Sequence, residues 1–328
     1  MANILILLPI LLTLVIVLLV AHYFYWNARA RRRLDSGGTV VETDLGRIEY
    51  RQYGRGPAIL MFHGSPGGYD QGEVVYDMVK EGYSVIAPSR PGYLKTPLTD
   101  RTFEGHADLL ATLLDKLGIN KVAVAGYSGG GPTAIHFAAR HPDKTACLIL
   151  ESAVSTTFIP TDSAVDSFWG RLFLQESFQD VLGWGTAVFM TLMPITMIKT
   201  ILPIETTYDE EELKDYLDYI KSNRQHIDFY KKLVLSTLPL SLRRSGLDND
   251  LIQFKAVQNY AGIPLKTPTL ILHSPNDNDA PYEQAEYSKS ILPEAELVNC
   301  HGGHLIWMGK DSGRLLARRR DFLRRHHH

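Results

Sequence analysis

The chain has 328 residues, 45% of them apolar and 21% charged, a balance that supports a packed core and excludes global disorder. Its net charge of −2 gives no long-range attraction to nucleic acid. With only two cysteines, Cys147 and Cys300, a disulfide framework is excluded and a reducing compartment favoured, and no Asn-x-Ser/Thr sequon occurs.

In chain order, the first element is an uncharged run from Ile4 to Ala21, ILILLPILLTLVIVLLVA. About 20 such residues cross a bilayer core of about 30 Å. The aromatic cluster His22, Tyr23, Phe24, Tyr25 and Trp26 suits the headgroup level, and Arg29, Arg31, Arg32 and Arg33 follow it. A cleaved signal peptide is the alternative, but it would start with positive charge, have a shorter apolar region and end at small residues. This segment starts Met1-Ala2-Asn3 and ends in bulky aromatics and arginines, so an anchor fits better. Pro9 should do no more than bend it. Arginines after the span place the rest of the chain on the cytoplasmic side, so the expectation is a single-pass membrane protein. Asp35 to Gly38 reads as a polar linker.

Strand-like runs then alternate with helix-like ones. The expected strands are Thr39–Thr43, Arg47–Gln52, Ala58–Phe62, Ser84–Ala87, Lys121–Gly126, Ala146–Leu150, Thr269–His273 and Glu296–Asn299. Helical spacing marks Gln71–Lys80, Phe103–Leu117, Gly130–Arg140, Tyr282–Ile291 and Gly313–Arg325. The first two strands, joined by Asp44-Leu45-Gly46, read as a hairpin, and the later ones as a parallel sheet with helical crossovers. The apolar runs ILMF, VAVA, CLIL and LILH suit strands buried on both faces. From Ala153 to Ile263 no clear strand occurs. Met190, Met193 and Met197 appear there with Phe168, Trp169, Phe173, Phe178, Trp184 and Phe189, and Glu210–Lys221 and Ile227–Leu235 have helical spacing. That stretch reads as a helical insertion. The domain expectation is an anchor with its basic flank at 1–33, a core at 34–152 and 264–328, and a cap at 153–263. The terminal His326-His327-His328 resembles a tag and is set aside.

Four signals carry chemistry. Gly126-Tyr127-Ser128-Gly129-Gly130 is a G-x-S-x-G between a strand and a helix, the context of a nucleophile elbow. A sharp turn there exposes the Ser128 hydroxyl at a helix N-terminus, where developing negative charge is favoured. His63-Gly64-Ser65-Pro66-Gly67-Gly68 follows a strand; its glycines let the loop pass beside the elbow, so the backbone N–H groups of Ser65 and Gly129 form the expected oxyanion hole. His63 reads as a structural residue of that loop. Ser274-Pro275-Asn276-Asp277-Asn278-Asp279-Ala280-Pro281 ends a strand with an acid placed to orient an imidazole, and Asp277 and Asp279 compete for the role, with Glu151 a remote third. His301-Gly302-Gly303-His304 supplies the base, His304 being the better placed of the two histidines. No cluster with metal-ligand spacing supports reading this pair as a metal site. The order Ser128, Asp277, His304 is the one this chemistry expects in an α/β fold.

On these motifs the chain resembles the α/β-hydrolase superfamily over roughly Thr39 to Leu323. The resemblance implies an eight-stranded, mostly parallel sheet with a helical cap inserted after the sixth strand. It also implies an acid four positions before a proline, which favours Asp277 (before Pro281) over Asp279, and a terminal Gly-His pair that Gly303-His304 matches. The loop HGSPGG looks like that of prolyl iminopeptidases, but Gly129 stands where they carry Trp. Dehalogenases and epoxide hydrolases of the superfamily use an Asp nucleophile, and Ser128 argues against both. The expected function is a membrane-anchored serine hydrolase of carboxylic esters, acting through an acyl-enzyme, with catalytic residues Ser128, Asp277 and His304 and no cofactor or metal. Membrane tethering and the Met and aromatic content of the cap favour an apolar or lipid-like ester as substrate. The alternatives are the same triad used as a peptidase, thioesterase, carbon–carbon hydrolase or perhydrolase, and a non-catalytic binding protein on this fold. The Arg314 to Arg325 helix reads as a solvated basic face, with anionic lipid as the alternative partner.

Overall fold

A computed structural model of the protein describes residues 2–76, 78, 81–158, 175, 178–256, 260, 265–292 and 294–327. The expected cap aromatics Phe168, Trp169 and Phe173 lie outside these residues.

Helix α1 spans Ala2–Gly37 as one unbroken element. The polar segment Asp35 to Gly38, expected as a linker, is therefore mostly helix. The reason is docking: Leu34 is buried, the Tyr69 hydroxyl donates to its carbonyl at 2.9 Å, and Ser36 Oγ donates back to Arg32 O at 2.9 Å. Arg33 pairs with Asp70 at 3.1 Å, and Arg243 holds the same carboxylate from the other side at 3.0 and 3.1 Å. The apolar part of α1 from Leu7 onward, by contrast, makes a stretch long and apolar enough to cross a membrane and is exposed as far as Ala21.

The eight strands β1 (Thr39–Thr43), β2 (Gly46–Gly54), β3 (Ala58–Phe62), β4 (Ser84–Pro88), β5 (Val122–Tyr127), β6 (Thr145–Glu151), β7 (Thr269–His273) and β8 (Glu296–Asn299) form one sheet in the order β1-β2-β4-β3-β5-β6-β7-β8. β1 and β2 pair antiparallel around Asp44-Leu45, β2 pairs antiparallel with β4, and every later pairing is parallel. β3, β4, β5 and β7 are buried at every position, as their unbroken apolar runs require of strands covered on both faces.

One face of the sheet packs on α3 (Phe103–Lys116) and α4 (Gly131–Arg140), through residues such as Leu110, Leu113, Ile135 and Phe137. Thr102 caps α3 by accepting from Gly105 N. The other face packs on α11 (Ser312–His326) and on α2 (Tyr69–Val75), which ends well before the expected Lys80; residues 77, 79 and 80 lie outside the description. α10 (Glu283–Ile291) joins β7 to β8. The arginines of α11 are largely engaged: Arg319 is buried 3.2 Å from Glu151, while Arg318 and Arg325 pair with Glu296. His327 is also buried, its ring bonded to Ala58 O at 2.8 Å, so this histidine, set aside in the sequence reading, packs against the sheet.

Between β6 and β7 the described residues form α5 (Gln179–Leu192), α6 (Pro194–Glu205), α7 (Glu210–Ser222), α8 (Arg224–Leu235) and α9 (Arg244–Gln253). A full capping box at Asp209 and Glu212 starts α7. Met190 and Ile198 pack into the core beneath, while Phe178, Leu192 and Met193 face outward.

Candidate active site

β5 ends at Tyr127, a short 3-10 turn covers Ser128–Gly130, and α4 begins at once. This sharp turn puts Ser128 at φ 49°, a left-handed conformation that costs a side-chain-bearing residue energy. The surrounding glycines permit it. A Cβ at Gly126 would lie 2.7 Å from Ala134 Cβ, and one at Gly130 2.7 Å from His63 O.

His304 sits on the loop after β8, and Asp277 in the turn after β7. Ser128 Oγ lies 3.0 Å from His304 Nε2, and His304 Nδ1 lies 3.0 and 3.1 Å from the two Asp277 oxygens. All three side chains are buried. Asp277 Oδ1 also accepts the backbone N–H groups of Asp279 and Ala280 at 3.0 and 2.8 Å, which fixes the carboxylate. The arrangement can take a proton from Ser128 onto Nε2 while Asp277 holds the Nδ1–H tautomer. Of the competing acids, Asp279 faces the other nitrogen, with its Oδ2 3.4 Å from His304 Nε2. Glu151 is not part of this group, because Trp307 Nε1 and Arg319 engage it instead.

The loop His63–Gly68 runs beside the elbow, where a Cβ on Gly129 would strike Ser65 Oγ. His63 is structural, as expected: Arg90 N donates to its Nε2 at 2.9 Å. His301 is exposed on its loop. Two residues that motif reading missed hold Ser65. Arg90, fully buried, forks onto Asp250 of α9 at 2.9 and 2.7 Å and donates to Ser65 Oγ at 3.0 Å, and Ser65 Oγ in turn donates to Asp250. Nothing in the local sequence marks Asp250, which lies 160 residues from its partner.

Glu205 was missed as well, although a lone acid in the apolar run Ile201-Leu202-Pro203-Ile204 was a usable signal. Its carbonyl accepts His304 N at 2.9 Å, and Thr207 N donates to Asn276 O at 3.0 Å, so the end of α6 is wedged between the base loop and the acid turn. Gly303, at φ 61°, leaves room for it: a Cβ there would lie 2.5 Å from Glu205 O.

The charges are strongly coupled. Burial disfavours the His304 imidazolium, but the carboxylates of Asp277 and Asp279 outweigh it and hold His304 up to about 10. Burial, then the Asp279 carboxylate, pushes Glu205 up to about 8. Tyr127 packs its ring 5.4 Å from His304 and 4.6 Å from Trp307, shielding the base. Among the described residues no three His, Cys, Asp or Glu side chains group as metal ligands. A cleft of 1470 Å³ lies elsewhere, between α1 (Arg29, Arg33), Tyr69 and Phe229.

The family described as the alpha/beta hydrolase fold matches residues 57–311, most of the chain and the whole of this site. The chain belongs to the α/β-hydrolase family. It is a hydrolase of that fold. It is 28% identical over 286 residues to hydrolase YcgS of Bacillus subtilis, covering 86% of this chain and 95% of that one. A 2-hydroxy-6-oxo-6-phenylhexa-2,4-dienoate hydrolase of Comamonas testosteroni is 26% identical over 200 residues, 57% of this chain and 65% of that one. Among solved structures, an alpha/beta hydrolase fold protein from Nakamurella multipartita superposes with a TM-score of 0.76 at 29% identity, over 88% of this chain and 99% of that one.

Proposed function

We propose that the protein is a membrane-anchored serine hydrolase that cleaves carboxylic esters of apolar or lipid-like character. Ser128 Oγ attacks the ester carbonyl carbon as its proton passes to His304 Nε2. The N–H groups of Ser65 and Gly129 stabilise the oxyanion. His304 then protonates the departing alkoxide, and water, deprotonated by the same nitrogen, releases the acid from Ser128. The observation that carries this reading is the continuous chain from Ser128 Oγ to His304 to Asp277, at 3.0 Å for each step, on a strained elbow. α1 is read as a single span with the hydrolase domain on the cytoplasmic side, because its arginines follow the apolar run.

A second reading, hydrolysis of a carbon–carbon bond by the same triad, is favoured by the match to the dienoate hydrolase. Turnover of an ester panel and of that dienoate by the full chain in detergent separates the two. Ester turnover that disappears in Ser128→Ala supports the first; dienoate cleavage without ester turnover supports the second.

A further inference from the structure

The cap hairpin made by α5 and α6 turns its apolar elbow outward on the side where α1 leaves the domain. α5 runs antiparallel to the last third of α1. Arg31 meets Asp180 at 3.2 Å near the start of α5, and Trp184 Nε1 donates to His22 Nδ1 at 2.8 Å one turn further on, with the Tyr23 ring edge-on to Trp184 at 6.0 Å. Each step forward along α5 is thus a step back along α1 toward its apolar end. His22 and Tyr23 are where the uncharged run of α1 stops. Leu192 lies eight residues beyond Trp184, at most about 12 Å further in that direction.

The elbow has the surface such a location requires. Leu192 is 74% exposed and Met193 48%, with Phe189 exposed one turn back on the same helix. Lys199 is the only charged side chain between Val181 and Ile204. The chain bends by 118° between the two helices, a sharp elbow rather than a straight span. A soluble domain seldom leaves an apolar tip of this kind open to water. Interfacial helices bury such a face at the boundary between headgroups and acyl chains, and Trp184 beside Tyr23 stands at the level where aromatic rings settle.

We infer that the α5–α6 elbow is a second membrane contact: it dips Leu192, Met193 and Phe189 into the same leaflet that α1 enters, so that the cap rests on the lipid surface. This inference builds on the reading of α1 as a membrane span. α6 runs from that elbow to Glu205, whose carbonyl holds the His304 loop, so the lipid surface and the loop of the proposed base are joined by one helix of about 18 Å. An amphipathic ester embedded in the leaflet is the class of substrate such a cap would receive.

The test uses the full chain in mixed phosphatidylcholine and phosphatidylglycerol vesicles. Its native cysteines are buried, so single variants Leu192→Cys, Leu12→Cys and Leu45→Cys each take one environment-sensitive fluorophore. Leu192 and Leu45 are exposed surface positions, the latter on the β1–β2 turn, and Leu12 reports on α1. Lipids carrying a quencher on the upper acyl chain should remove most of the fluorescence at Leu192 and leave Leu45 bright. Quenching at Leu12 without quenching at Leu192 overturns the second contact and leaves the anchor standing. Quenching at Leu192 alone overturns the anchor and, with it, the shared leaflet that the inference requires. Quenching at neither position overturns both.

Discussion

Replacing Asp279 with asparagine should shift the alkaline pH dependence of the reaction downward. The base must be neutral to accept the Ser128 proton, so kcat/KM rises with pH as His304 loses its proton and levels off above its pKa. That pKa is held up to about 10 because the carboxylates of Asp277 and Asp279 outweigh the effect of burial. Asp279 Oδ2 lies 3.4 Å from Nε2, but its side chain is 52% exposed, so its charge is well screened by water. With the dielectric constant of water, a unit charge at that distance contributes about 1 kcal/mol, or a little under one pKa unit. Asparagine removes this charge and keeps the shape. The limb should therefore move down by roughly one unit, and below it the variant should be about five- to tenfold faster than the parent at equal pH. The assay is kcat/KM on a chromogenic ester across the alkaline range, with an ester whose own hydrolysis is subtracted. A limb that stays in place or moves up would refute the argument that Asp279 acts on His304 through its charge.

Other substitutions test separate parts of the structure. Gly129→Ala puts a methyl group into Ser65 Oγ and displaces one side of the proposed oxyanion hole, so kcat of the folded variant should fall by about 10²–10³, alongside an overpacking cost of about 1–3 kcal/mol in stability. Asp250→Ala leaves Arg90 buried without its carboxylate, held only by Ser65 Oγ and His63 O, and should cost about 3–5 kcal/mol of stability, read by denaturant unfolding in detergent. Leu34→Ala, at a buried position of α1, should destabilise by about 2–5 kcal/mol, whereas a freely hinged anchor would give no change.

Much of this arrangement is legible in the residues. ILMF, VAVA and LILH mark strands covered on both faces, and all three are completely buried; Ser128, Asp277 and His304, expected from motifs at strand ends, lie within hydrogen-bond distance in sequence from Oγ to Nε2 and from Nδ1 to the carboxylate. Local patterns failed where tertiary contacts decide the outcome. Asp35 to Gly37 are polar and read as a linker, yet the docking of Leu34 on Tyr69 keeps them helical. The role of Asp250 depends on a buried arginine 160 residues away, a relation no local pattern encodes. The resemblance favours Asp277 over Asp279, and the geometry separates them by nitrogen: Asp277 faces Nδ1, and Asp279 faces Nε2. The apolar content of the cap is divided in a way composition cannot foresee, with Met190 facing the core and Leu192 facing outward.

The central claim, that Ser128 is an activated nucleophile, is tested most directly by treating the full-length protein with a fluorophosphonate and mapping the adduct by peptide mass spectrometry. The account predicts one adduct, on Ser128, whose rate of formation falls by orders of magnitude in His304→Ala. An adduct on another serine, or equal labelling of Ser128 with and without His304, would contradict it.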